Sequence, residues 1–122
     1  MRILALDDEV TYRSMYEDFF GMQDGVEIVT VSTVAAAVSE LEKGEFDFVI
    51  SDFYLNRAEG EGDGRDLVDV IVNGSRKERV IVVSGSTTKR VEEELLQKGV
   101  LRVFSKPFSF SEIWNFLQEQ SS

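Results

Sequence analysis

Short apolar runs recur along the chain at Arg2–Leu6, Val26–Val31, Phe46–Ser51, Val80–Ser84 and Leu101–Phe104. They are rich in β-branched and aromatic residues and continuous rather than alternating, as strands covered on both faces are. Segments of helical period separate them. Thr11–Met22 sets Tyr12, Met15, Tyr16, Phe19 and Phe20 on one core-facing side, with Gly21 or Gly25 available to end it. Val34–Lys43 carries a stripe of Val34, Val38 and Leu41 and stops at Gly44. Asp66–Val72 follows a glycine-rich loop and stops near Asn73-Gly74; Lys89–Lys98 ends at Gly99, a favourable residue just past a helix. Ser109-Phe110-Ser111-Glu112 has the form of a capping box and opens a last helix that turns Ile113, Phe116 and Leu117 inward. Strict alternation of five strands with five helices predicts a parallel sheet with right-handed crossovers, a single doubly wound α/β domain over residues 1–122.

A chain of 122 residues with 43% hydrophobic content can bury one core without disulfides or structural metals. The absence of cysteine removes disulfides, thiolate metal sites and thiol nucleophiles. The absence of histidine removes imidazole catalysis, so any phosphohistidine in this chemistry must come from a partner. A net charge of −10 argues against nucleic-acid backbones and against anionic membrane surfaces. The start MRILALDDEV turns acidic after six residues, unlike a signal peptide, and no apolar run approaches the roughly 20 residues of a membrane span. A soluble, cytoplasmic protein is expected.

In an open parallel sheet, sites form at the carboxyl ends of the strands. There the sequence puts Asp7, Asp8 and Glu9 after the first run, Asp52 after the third, Ser84 after the fourth and Lys106-Pro107 after the fifth. A dinucleotide or P-loop site needs glycines in the first turn, and this turn is acidic instead. Clustered carboxylates repel one another unless a cation neutralises them. Mg²⁺ suits the role, since it typically takes one or two carboxylates, keeps waters and recruits phosphate oxygens. A carboxylate can then act as nucleophile and form an aspartyl phosphate. Asp52, on the central strand, is the candidate. Mg²⁺ and Lys106 would each hold one phosphoryl oxygen, with the Ser84 hydroxyl or a backbone N–H on a third.

The set Asp7-Asp8, Asp52, Ser84 and Lys106-Pro107, in order and spanning essentially the whole chain, resembles the site of the bacterial response-regulator receiver family of two-component signalling. That resemblance implies a flavodoxin-like sheet of strand order 2-1-3-4-5. It implies direct Mg²⁺ binding by Asp8, binding by Asp7 mostly through water, and a third protein ligand in the Tyr54 carbonyl. Asp52 would take phosphate from a histidine kinase or phosphotransfer protein, Lys106 would pair with it, and Ser84 would move toward it as the switch hydroxyl. The implied output is a changed face of helix four, strand five and helix five, which would meet a downstream protein target or a second copy as a homodimer. Such a domain catalyses only its own phosphorylation and dephosphorylation. The Lys106–Pro107 peptide is expected to be cis, since X–Pro is the one bond where cis is cheap.

Two features depart from the family pattern. The loop Asn56–Gly64, rich in glycine and acid, looks longer than usual and is expected to be mobile. Similar receivers usually carry Tyr or Phe three residues before the strand-five lysine, where this chain has Val103, with Phe104 adjacent. Either Phe104 takes that part through a register change, or Ser84 moves without an aromatic partner. Plainer roles compete for each residue: Asp7-Asp8 as helix caps, Asp52 and Ser84 as turn residues, Lys106 as a surface lysine. Trp114 fits either the core or a docking surface, and Glu92-Glu93-Glu94 a solvated face. A phosphorylation-independent interaction module is the alternative function. A Mg²⁺-dependent aspartyl phosphatase is disfavoured because D-x-D-x-T is absent after the first strand. GEGDGRD lacks the spacing of a calcium loop.

Overall fold

The structure, a computed structural model, describes residues 1–53, 64–74, 77–85 and 88–121, with the backbone alone at 64–66. Strands β1 (Arg2–Leu6), β2 (Glu27–Val31), β3 (Phe48–Asp52), β4 (Arg79–Ser84) and β5 (Arg102–Ser105) alternate with helices α1 (Val10–Gly21), α2 (Val34–Lys43), α3 (Gly64–Asn73), α4 (Lys89–Gln97) and α5 (Phe110–Ser121). Every strand pairing is parallel, and the sheet order is β2-β1-β3-β4-β5. The predicted doubly wound fold and its strand order are therefore observed. The expected element bounds shift by one or two residues. Phe46, expected in the third strand, precedes it, buried with the Arg2 guanidinium 4.4 Å from its ring centroid.

The period-2 alternation of a strand divides the core between the two faces of the sheet. Leu4, Leu6, Val49, Val80 and Val82 pack with Ala37, Leu41, Leu67, Val68, Ile71 and Leu95 of α2, α3 and α4. Their neighbours Ile3, Ala5, Phe48, Ile50, Ile81, Val83 and Phe104 pack with Tyr16, Phe20, Ile113 and Leu117 of α1 and α5. Central β3 is buried at all five positions, whereas edge strand β2 is only partly covered, which explains the continuous apolar run of the first and the Glu27 of the second. Met15 leaves the expected stripe and is exposed, because α1 turns Tyr16 and Phe20 inward instead. Trp114 is half-buried and meets Phe20 edge-on at 6.1 Å, in agreement with a core role.

Local chemistry starts and stops the helices. The Thr33 and Thr88 hydroxyls accept the N–H groups of Ala36 and Val91, capping α2 and α4. Gly99, at φ 108°, lets the chain leave α4 in a conformation that L side chains rarely adopt.

Candidate functional site

Three strand ends build the site. Asp7 prolongs β1, its N–H donating to the Val31 carbonyl at 3.1 Å, and so continues the Ile3, Ala5 series that faces α1 and α5. Asp52 closes β3 on the same side as Phe48 and Ile50, opposite Val83 in the register. Lys106 follows Phe104 by two residues, and its N–H donates to the Ser84 carbonyl at 2.7 Å, tying the end of β5 to that of β4. Alternation thus places two acids and the lysine on one face at the carboxyl edge.

Asp7 and Asp52 are buried, while Asp8 is half-buried. Each of the three offers a carboxylate oxygen, and these oxygens lie within 4.8 Å of one another. The Lys106 Nζ donates to Asp7 Oδ2 at 2.8 Å and to Asp52 Oδ2 at 3.4 Å. Asp7 Oδ1 accepts the Glu9 N–H at 2.9 Å, and the Arg13 guanidinium donates to the Asp7 carbonyl at 2.9 Å. The bond from the Glu9 N–H is a local turn contact and not a helix cap, since Glu9 itself is the N-cap of α1 and no side chain caps that helix; the other Asp7 oxygen stays in the cluster.

Burial and the Asp7 charge push the Asp52 carboxyl up to about 7, although the adjacent Lys106 ammonium opposes the rise. Burial works against the charged form of Lys106, but its hydrogen bond to Asp7 and the charges of Asp52, Asp7 and Glu9 prevail and raise its pKa. Three carboxylates meet one ammonium here, so the cluster is short of positive charge. All three acids are hard oxygen donors at one edge, so the donor set fits a small divalent cation such as Mg²⁺.

Ser84 is buried at the end of β4, beside Ser105 in the register. Its place in the strand continues the Val80, Val82 series, the opposite parity from Asp52. Tyr54 and residues 56–63 lie outside the described residues, as does the expectation of mobility attached to the loop. The Lys106–Pro107 peptide is cis, as expected. β5 shows no register change: Val82 pairs with Val103 and Val83 with Phe104. Phe104 is buried on the α5 face, 6.0 Å from Phe116, whereas Val103 packs on the α4 side.

Sequence reasoning assigned Tyr12 to the core and missed its place here. Its ring stands 3.9 Å from the Lys106 Nζ, with Phe108 behind it at 5.7 Å. No helical spacing could have found it, because Asp8 precedes α1 and shares no helical face with Tyr12. A cavity of about 400 Å³ lies at the other end of the sheet, before β3 and β4, and Leu41, Lys43, Phe46, Lys77 and Glu78 help to line it. It contains none of the clustered acids.

A family model for the response regulator receiver domain matches residues 3–118. The transcriptional regulatory protein FlgR of Helicobacter pylori is 30% identical over 108 residues, covering 88% of this chain. The chain spans about a quarter of that relative, 26% of its length. A response regulator receiver domain protein (CheY-like) from Methanospirillum hungatei superposes with a TM-score of 0.83 at 20% identity, covering 98% of this chain and 95% of the other. The beryllofluoride-activated NtrC4 receiver domain dimer gives 0.85 at 24% identity, covering 99% and 98%. The chain belongs to the response regulator receiver family. No helix among the described residues is long and apolar enough to cross a membrane.

Proposed function

We propose that this domain is a phosphorylation-controlled switch in which Asp52 accepts a phosphoryl group from the phosphohistidine of a partner kinase or phosphotransfer protein. The observation that carries the reading is the buried convergence of Asp52 with Asp7, Asp8 and Lys106 on one sheet edge. Asp8, Asp7, Asp52 and the Tyr54 carbonyl would hold Mg²⁺. When bound, Mg²⁺ supplies the charge that keeps Asp52 ionised near neutral pH and offsets charge on the phosphoryl oxygens.

In the transfer, an Asp52 carboxylate oxygen forms the new bond to phosphorus as the P–N bond of the donor breaks. The bonding pair leaves on the imidazole nitrogen, which takes up a proton. Lys106, already 3.4 Å from the Asp52 carboxylate, neutralises a phosphoryl oxygen. Ser84, on the neighbouring strand end, supplies the hydroxyl that follows the phosphate. The added charge, about −1.5 to −2 by analogy with other phosphorylated residues, then shifts the face made by α4, β5 and α5 between two states. That face meets a downstream protein or a second copy, without direct contact to nucleic acid or membrane.

The test is incubation with Mg²⁺ and acetyl phosphate. A single hydroxylamine-labile phosphoryl group on Asp52, lost in Asp52→Asn with the fold intact, is expected. Wild-type protein that takes no label under these conditions would overturn this reading and favour a phosphorylation-independent interaction module.

A further inference from the structure

Tyr12 contributes neither a metal-binding nor a phosphate-binding group, yet it makes the third contact of the Lys106 ammonium, the cation bonded to the clustered carboxylates. The Lys106 Nζ lies between two carboxylates, 2.8 and 3.4 Å away, and the face of the Tyr12 ring, 3.9 Å from the ring centroid. The Lys106 side chain is 11% exposed, so little of it remains open to water. Tyr12 is itself held in place. Phe108 packs against it at 5.7 Å, and Phe108 is backed in turn by Phe110 at 5.0 Å and Tyr16 at 6.1 Å.

The geometry points to Tyr12 as a positioning residue: its ring holds the Lys106 ammonium against the carboxylate cluster through a cation–π contact anchored by Phe108. A lysine has four flexible bonds and three rotatable donors, so a salt bridge alone leaves its head free to swing outward. The negative face of an aromatic ring attracts the ammonium alongside the acids, and more strongly where water is thin. Lys106 therefore stays aimed at the edge where charge develops during transfer. It does not have to be recruited from solvent in each reaction.

The kinetic part of this inference rests on the reading of Asp52 as phosphoacceptor; the structural part does not. Phenylalanine keeps a negative ring face, whereas leucine fills similar apolar space without one. That difference separates attraction from packing. The experiment compares wild type, Tyr12→Phe and Tyr12→Leu by NMR of the Lys106 side chain in the unphosphorylated protein, and by initial rates of acetyl phosphate labelling.

In wild type the Lys106 ε-methylene protons are expected upfield of their ordinary position, shifted by the ring current. Tyr12→Phe keeps the shift and the wild-type labelling rate. Tyr12→Leu loses the shift and labels about five-fold more slowly, in line with a contact of the strength typical of partly desolvated cation–π pairs. Unshifted ε-methylene protons in wild type overturn the inference without any variant. So does a Tyr12→Phe protein as slow as Tyr12→Leu, or a Tyr12→Leu protein as fast as wild type. Failure of the phosphoacceptor reading looks different: wild type and Asp52→Asn behave alike toward acetyl phosphate while the ring-current shift persists.

Discussion

Lys106 Nζ stands 2.8 Å from Asp7 Oδ2. Its distance to Asp52 is longer, at 3.4 Å, so in this state the lysine is bonded mainly to the acid of β1 and only secondarily to that of β3. Asp7 consequently acts on Asp52 twice, through its own negative charge and by drawing the shared cation toward itself. Both effects raise the Asp52 carboxyl. In metal-free protein, Asp7→Asn should therefore move the Asp52 titration below its wild-type position of about 7. Carbon-13 NMR of the Asp52 carboxyl checks this. An unchanged or higher midpoint would mean that burial alone sets the value.

The same raised carboxyl makes metal-free stability depend on pH. Below about pH 4, Asp52 is protonated in both folded and unfolded chains. Between about 4 and 7 the folded state retains a proton that the unfolded state has released, so stability falls as pH rises through this window. Above it the contribution is flat. Taking 1.36 kcal/mol per pKa unit, the total loss attributable to Asp52 is of order 4 kcal/mol. Asp52→Asn carries no such titration, and without metal it should be more stable than wild type at pH 8 while differing far less at pH 4. Urea unfolding of both proteins with a chelator present, at the two pH values, measures the difference. Wild type that gains stability from pH 5 to pH 7 relative to Asp52→Asn contradicts the assigned direction.

Much of the candidate site was legible because the strand-end rule acts on sequence alone. The buried runs ending at Leu6, Ser51, Ser84 and Phe104 put Asp7, Asp52, Ser84 and Lys106 at one edge before any packing is known. The orientation of Phe104 was not legible. A four-residue edge strand fits two registers, and only pairing with Val83 fixes the ring on the α5 face. Tyr12 was hidden for another reason. Helical periodicity groups it with Tyr16 and Phe20, and the period cannot tell a ring that seals the core from one at its rim facing a lysine. The tie between the Arg13 guanidinium and the Asp7 carbonyl depends on where the chain turns into α1, which residue types alone leave open.

Mg²⁺ binding should reverse the electrostatic deficit. At pH 8, above the Asp52 value of about 7, saturating Mg²⁺ raises the melting temperature of wild type. At a hundred times the dissociation constant, the stabilisation is about 2.7 kcal/mol. Asp8→Ala removes an oxygen donor without touching the Asp7–Lys106 bond, so it should weaken binding at least several-fold and slow labelling of Asp52. Isothermal titration with Mg²⁺ gives the affinity directly. An Asp8→Ala protein that binds Mg²⁺ like wild type would remove Asp8 from the ligand set.

Replacing Phe104 separates scaffold from switch. Its ring is buried among Phe116, Ile113 and Leu117, with the Arg102 guanidinium 4.5 Å above it, on the face away from Val103. Truncation to alanine leaves a cavity that edge strand β5 cannot fully close, at a cost of about 3–5 kcal/mol. Leucine keeps most of the volume and should lower stability by a smaller amount. Neither change alters the carboxyl edge, where Lys106 is fixed by its own bonds to Asp7, Asp52 and the Ser84 carbonyl. Phe104→Leu should therefore label Asp52 at a rate within two-fold of wild type while melting at lower temperature. A variant of unchanged stability with labelling slowed several-fold would show that Phe104 serves the site directly, in a register other than the one in which Val83 is its partner.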